Sequence, residues 1–367
     1  MFLKQLNILN FKNYEESSLE FSPRINCFAG NNGVGKTNIL DAIHYLSLTK
    51  SYFNPVDTQN INYSKDFFVL EGKYVLDGVA ENVFCGVQRN QGKKFKRNDK
   101  EYGKISEHIG LIPVVMISPG DSELILGGSE MRRRYIDSVI SQYNRHYLEQ
   151  LIRYNHVLQQ RNSYLKMAAK SGIFDTTMIE MFDMQLIKCG EYIFEERKIF
   201  FSRLQPVFDQ YYEFLSGGAE LVQLKYESAL FIESFADLLA HSIEKDKILQ
   251  YTTSGIHKDD LSMEIYGLPI KKNGSQGQQK TLLVALKLAQ YQFIHQIRSL
   301  YPILLLDDIF DKLDEKRVRQ IITVVSELQN GQIFITDTHP QRLKGILAEL
   351  EVDNKVYFIE NNLFTTI

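Results

Sequence analysis

Cysteine is scarce in this 367-residue chain, with three residues, Cys27, Cys85 and Cys189, odd in number and widely scattered. That argues against a disulfide framework or a zinc cluster and fits a reducing compartment, so a cytoplasmic location is expected. No apolar run approaches the roughly 18 residues that a membrane span requires. The N-terminus alternates (Leu3, Leu6, Ile8, Phe11) as a strand does, without a basic start and apolar core, and no signal peptide is expected. There is no Pro/Gly/Ser linker and no internal repeat. Nor is there an excess of positive charge: at a net −3, composition alone points to no nucleic acid, and any such contact must come from local patches. Hydrophobic residues at 44% and charged residues at 24% leave a soluble globular chain, long enough for one large or two ordinary domains.

What is present begins at Gly30-Asn31-Asn32-Gly33-Val34-Gly35-Lys36-Thr37. This run follows an apolar strand-like segment (Ile25, Cys27, Phe28) and opens a helix-like one (Ile39, Leu40, Ile43, Leu46), which is the spacing and context of a phosphate-binding loop. The glycines let the backbone aim its N–H groups at phosphate oxygens. Lys36 reaches the β- and γ-phosphates, the Thr37 hydroxyl can hold Mg²⁺, and the helix adds its positive dipole end. The chain is therefore expected to bind a nucleoside triphosphate.

Far downstream, Ile303-Leu304-Leu305-Leu306-Asp307-Asp308 reads as a buried parallel strand with a functional carboxyl end. Asp307 suits the Mg²⁺ shell, and Asp308 suits orienting or deprotonating an attacking water; Asp pairs also start turns. Between the two lies Ser275-Gln276-Gly277-Gln278-Gln279-Lys280, ahead of a strong helix from Leu282 to Ile297, and this is a second anion-binding helix start. One chain with two such starts and one phosphate loop is resolved economically by a composite site. Ser275 and Gly277 of one copy then close, in trans, on the nucleotide held by Gly30–Thr37 of another.

Two basic patches stand out. Residues 88–100 carry six basic side chains against one acidic, on an expected β-hairpin, and Lys93, Lys94, Lys96 and Arg97 are candidate DNA contacts or a solvated face. Residues 131–170 carry eight Arg or Lys against Asp137 and Glu149. There Tyr135, Val139, Tyr143, Tyr147, Leu151, Tyr154 and Leu158 recur at three and four as a packing stripe. Arg132, Arg133, Arg134 and Arg145 fall largely outside it, where phosphates could reach them, with Arg133 alternatively pairing with a carboxylate. From about 130 to 215 the pattern is helical, broken near Ser171-Gly172 and ended by Gly217-Gly218. Two helices of about 35 residues would reach roughly 50 Å. Strand-like stretches at 67–75, 83–88 and 112–117 complete a mixed α/β core.

These blocks together resemble ABC-type ATPase heads, and in detail the RecF family of recombination mediators. Leu6–Tyr14 is similar to that family's opening strand and NFRNY segment, with Lys12 for Arg, and Thr37–Ile43 to its KTNLLEAI run, with Asp41 for Glu. Ser118-Pro119 with Arg132-Arg133-Arg134 resembles its SPED…RRRFLD block, with Gly120-Asp121 standing where the family has Glu-Asp. Gly255–Asp260 resembles GPHRDD, and Ser275–Lys280 and Leu304–Asp308 match closely, so the resemblance spans nearly the whole chain. It implies an α/β head with a mixed sheet, flanking helices and an inserted helical arm: an ATPase lobe over 1–125, the arm over 126–250, and the signature helix and Walker B strand over 251–367. It further implies a weak DNA-stimulated ATPase that uses ATP and Mg²⁺ as a switch and dimerises on ATP. It would act on double-stranded or gapped DNA in recombinational repair and replication restart, with RecO and RecR as partners and RecA downstream. The alternatives are an ABC transporter subunit or another SMC-like DNA-processing complex. Transport subunits have a Q-loop Gln after the middle strand and a His directly after the last. Here Ser118-Pro119-Gly120 follows the first, and Asp337 precedes His339, which is read either as a γ-phosphate sensor or as a turn residue before Pro340.

Overall fold

The computed structural model describes residues 1–218, 220–309, 320–321, 331–341, 345, 347, 353–360 and 363–366. The chain forms two compact units, one of Met1–Asp121 with Thr281–Ile367 and one of Ser122–Lys280.

The first unit contains two six-stranded sheets. In the antiparallel sheet, Phe2–Phe11 lies between Tyr14–Glu20 and Phe67–Leu76, followed outward by Val79–Gln88, Gly92–Arg97 and Lys100–Glu101. The other sheet is parallel except at one edge, in the order Leu363–Thr366, Asn354–Glu360, Ile25–Ala29, Ile333–Asp337, Ile303–Asp307, Val114–Ile117. Ile25–Ala29, Ile333–Asp337, Ile303–Asp307 and Val114–Ile117 are buried throughout, as strands covered on both faces must be. Helix Lys36–Leu48 contributes Ile39, Leu40, Ile43 and Leu46 to a continuous core shared with side chains of both sheets, among them Phe28, Phe68 and Leu305. Register brings Asp307 opposite Thr336, and Asp337 opposite Ala29, so the carboxyl ends of the three strands finish level beside the phosphate loop.

In the second unit the expected helical stretch is divided where the apolar periodicity gave no warning. Ser129–Ser141 and Arg145–Ser171 are separate helices, because the Asn144 side chain accepts from Tyr147 N and caps the second one. The break at Gly172 and the end at Gly217 are where expected, each in the left-handed conformation, and Thr176–Ser216 runs 41 residues between them. Residues 251–280 belong to this unit, rather than to the ATPase part. Asp260–Ile265 pairs with Val222–Glu227, and Asp259 and Asp260 are held by Arg197 and Arg132.

Two fully buried arginines fasten the helices together. Arg161 pairs with Asp183 of the long helix and Asp246 of helix Phe235–Leu249, at 2.7 and 2.6 Å, and donates to Thr252 Oγ1. Arg197 pairs with Asp137 and Asp259, at 2.8 and 2.9 Å, and donates to Tyr147 Oη and Ile256 O. Removing one side of such a buried pair leaves uncompensated charge, at a cost of about 3–5 kcal/mol. Arg161→Leu is therefore expected to destabilise the helical unit on this scale, as a lowered denaturation midpoint followed by helix circular dichroism.

Candidate nucleotide-binding site

The phosphate loop is shaped by close approach. Gly35 sits at φ +102°, and a Cβ there would come within 2.5 Å of Asn13 Nδ2 and 2.7 Å of Tyr14 Oη. Gly30, at φ +154°, would bring one to 2.6 Å from Ile359 O. The cradle accepts glycine for these steric reasons as well as for the backbone turns. Its floor is fixed by Asn38, which donates to Asn13 Oδ1 at 2.7 Å, and by Lys12, whose ion pair with buried Asp41 is 2.6 Å long. Lys12 and Asp41, two of the departures from the family pattern in these blocks, thus meet each other, and Asp41 also accepts from Ser51 Oγ and Tyr52 N.

Lys36 is buried and donates to Gly30 O and Asn31 O at 2.7 and 2.9 Å, folding its ammonium into the loop. Burial lowers its pKa, while Asp308, Asp307 and Asp337 act in the opposite sense. Thr37 Oγ1 lies 2.8 and 3.1 Å from the two oxygens of Asp307, uniting residues 270 positions apart. Burial raises the pKa of Asp307, opposed by its hydrogen bonds from Thr37 and Thr336. A small cleft lined by Asn32, Gly33, Gly35, Lys36, Thr37, Asn38, Asp308 and Thr336 opens here. A hydroxyl touching a carboxylate, beside a phosphate cradle, is the donor set suited to Mg²⁺, which takes few protein ligands and completes its shell with water and phosphate oxygens. No cluster of three or more His, Cys, Asp or Glu that could hold a metal occurs among the described residues.

Thr336 is a site residue that sequence reasoning passed over. Its hydroxyl donates to Asp307 Oδ1 and accepts from Asp308 N, both at 2.9 Å, and so aligns the two aspartates. Only its place before Asp337 at the end of an apolar strand could have signalled it. Asp308 has φ +50°, the left-handed region, which sets its carboxylate direction apart from that of Asp307. His339 is exposed, its amide donating to Asp337 Oδ1 at 2.8 Å and its Nδ1 lying 3.5 Å from the same carboxylate oxygen. Asp121 closes the segment after Val114–Ile117: it accepts from Ser118 N and pairs with Lys287 at 2.8 Å.

In the second unit, helix Gln276–Arg298 starts with a reciprocal cap. Ser275 Oγ accepts from Gln278 N, and Gln278 Oε1 accepts from Ser275 N. Ser275 is exposed and Gly277 half-buried at this start.

The basic patches are more committed than the sequence suggests. Lys93, Lys94, Lys96 and Arg97 lie along the strand Gly92–Arg97, not on a turn. Lys93 pairs with Asp57 at 2.8 Å and donates to Thr49 O; Arg97 forms a two-pronged pair with Glu81. Lys96 rests over the Phe84 ring and Lys94 is exposed. Arg132 grips Asp260 through Nε and Nη2 and donates through Nη1 to Leu124 O and Gly127 O, which assigns it to the fold. Arg134 pairs with Glu130 at the surface, and Arg133 donates to Asp259 O.

Residues 2–362 match the RecF/RecN/SMC N terminal domain family. The chain is 51% identical over 360 residues to the DNA replication and repair protein RecF of Parabacteroides distasonis, covering 98% of each. It is 48% identical over 367 residues to that of Phocaeicola vulgatus, covering 100% of this chain and 98% of the relative. A solved structure of the recombination mediator protein RecF with ATP, from the RecFOR pathway, superposes with a TM-score of 0.90 at 27% identity, covering 100% of this chain and 97% of that one. An Smc head bound to the C-winged helix domain of ScpA superposes at 0.56 and 13% identity, a likeness of fold, covering 100% of this chain and 97% of that one.

Lys36→Met removes the cation facing the phosphates at a partly desolvated place. Equilibrium titration with a fluorescent ATP analogue is expected to show loss of tight binding, and an unchanged affinity would remove Gly30–Thr37 as the cradle.

Proposed function

The chain belongs to the RecF family of DNA replication and repair proteins, and from that premise we propose that it is an ATP-gated DNA-binding protein that dimerises around nucleotide. In this reading it acts at single-strand gaps with RecO and RecR to help load the recombinase RecA. The observation that carries the switch is the meeting of Lys36, Thr37, Asp307, Thr336 and Asp308 around one cleft, while Ser275 presents an exposed helix start of its own. A transport role is not favoured, because the relatives that the chain matches along its length are DNA replication and repair proteins.

Lys36 releases the carbonyls of Gly30 and Asn31 and turns its ammonium to the β- and γ-phosphates, while the loop amides bind their oxygens. Thr37 and Asp307 would hold Mg²⁺, which would supply neutralisation of the phosphate charge. Thr336 keeps the Asp307 carboxylate turned to Thr37 and fixes the Asp308 backbone. Asp308 then accepts the proton of the attacking water. Ser275 and Gly277 of a second copy close the phosphates from the other side, through amides at a helix start. On the hairpin, Lys94 and Lys96 are the DNA contacts that leave existing ion pairs intact, because Lys93 and Arg97 are already neutralised.

Two substitutions separate these steps. Ser275→Arg is expected to leave ATP affinity nearly unchanged while light scattering with ATP and Mg²⁺ shows monomer; a mutant that still dimerises normally removes the composite site. Asp308→Asn keeps the size of the side chain but not its basicity. It should bind ATP and dimerise, yet release phosphate about 10²–10⁴-fold more slowly. Equal turnover would reassign the base, with Asp337 or His339 next in line.

A further inference from the structure

We propose that a cavity of about 320 Å³ in the helical unit, lined by Arg133, Arg134 and Asn155 with buried Arg197 behind them, is a binding site for a phosphate of the DNA backbone. The inference rests on the DNA-binding reading above and assigns a place to it.

The site follows from how the charges are shared. Four arginines (132, 133, 134 and 197) stand among four carboxylates, Glu130, Asp137, Asp259 and Asp260, and the charges balance in number. Their distribution does not. Arg197 takes both Asp137 and Asp259, Arg132 takes Asp260, and Arg134 takes Glu130. Arg133 is left with no carboxylate of its own among the described residues. Its guanidinium carries five N–H donors, and among the described residues it makes one hydrogen bond, Nη1 to Asp259 O at 2.6 Å. Arg133 lines the cavity, and a planar fork of this kind fits two oxygens of one phosphate.

Its surroundings favour an anion. Burial and the neighbouring Arg197 both lower the pKa of Arg133, whereas Asp260, Asp259 and Glu130 act against them, so a cation stays where a further negative charge stabilises it. Arg134 and Glu130 are about two-thirds exposed, and such a surface pair contributes so little that Arg134 can exchange Glu130 for phosphate. Glu130 and Asp137 also line the cavity and set the limit on its affinity. His257, at the wall, is held between Tyr154 Oη and Thr252 O and pushed down to about 4 by burial. It adds no charge near neutrality, so the site is an arginine site. Arg153, Lys166 and Lys170 are exposed along the same helix as Asn155, which suits an extended polyanion better than a single small ion.

The test uses the full chain with saturating ATP and Mg²⁺, and measures anisotropy of a labelled gapped duplex across a salt series. Arg133→Gln is expected to weaken binding about five- to tenfold at 0.15 M salt and to reduce the salt slope by about 0.9, the value of one phosphate contact. ATP affinity should be unchanged, and the loss should be the same between pH 6 and 8. Arg133→Lys, which keeps the charge without the fork, should recover part of the affinity and guards against misfolding. Glu130→Gln should tighten binding. An unchanged slope and affinity in Arg133→Gln, while the wild type binds duplex, overturns the site but leaves the DNA-binding reading standing. Failure of the wild type to bind duplex overturns both. Two further arms name the other occupants. Protection of the wild type but not Arg133→Gln against thermal unfolding by inorganic phosphate, with duplex binding equal in both, would assign a free anion. Loss of polyglutamate binding with duplex binding intact would assign an acidic protein segment. Either result overturns the proposal.

Discussion

The hydrogen bond between Thr37 and Asp307 depends on almost everything else in the first unit. It joins a loop to a strand end 270 residues away, and it forms because three parallel strands finish level. A register slip of one residue would carry Asp307 to the opposite face of the sheet and leave Thr37 without it. Thr336 adds a second constraint, since its hydroxyl spans Asp307 and the backbone of Asp308. Two adjacent acids are thereby given different environments, as the two separate roles proposed for them require. One is enclosed and hydrogen-bonded to hydroxyls; the other turns through a left-handed residue into the cleft.

The phosphate loop was legible because its chemistry requires particular residues in contiguous order, and Gly35 shows why: no side chain fits between it and Tyr14. Asp307 and Asp308 were legible for a related reason, an apolar strand ending in charge. Thr336 was not, because it joins the site through sheet pairing, which leaves no local mark. The basic patches were misleading in the same way. The count of lysines and arginines was correct, but Asp57 and Glu81, which engage Lys93 and Arg97, lie outside the run that was counted. Arg132 and Arg133 differ by one position on one helix. Among the described residues one makes four hydrogen bonds and the other a single one, which the placement of Asp260, Leu124 O and Gly127 O decides.

The arm shows a comparable limit. Its apolar stripe runs on through the residues at which the chain breaks and restarts, so periodicity alone suggested one helix before Ser171. A single capping side chain, Asn144, outweighed it. The division into units likewise followed pairings remote in sequence, with residues 251–280 drawn to the helical unit by Val222–Glu227, Arg132 and Arg197.

The two buried arginines also have a mechanical meaning. Arg161 projects from one long helix to Asp183 on the other, and Arg197 projects back from the second to Tyr147 on the first. These clasps stand about 21 Å apart along the axis, at 1.5 Å per residue between positions 147 and 161. Sliding either helix by one turn, about 5.4 Å, would pull both guanidinium groups out of reach of their acceptors together. The hairpin is therefore stiff in shear: a push along one helix is borne by both, and the arm moves as a strut rather than as two rods slipping past each other.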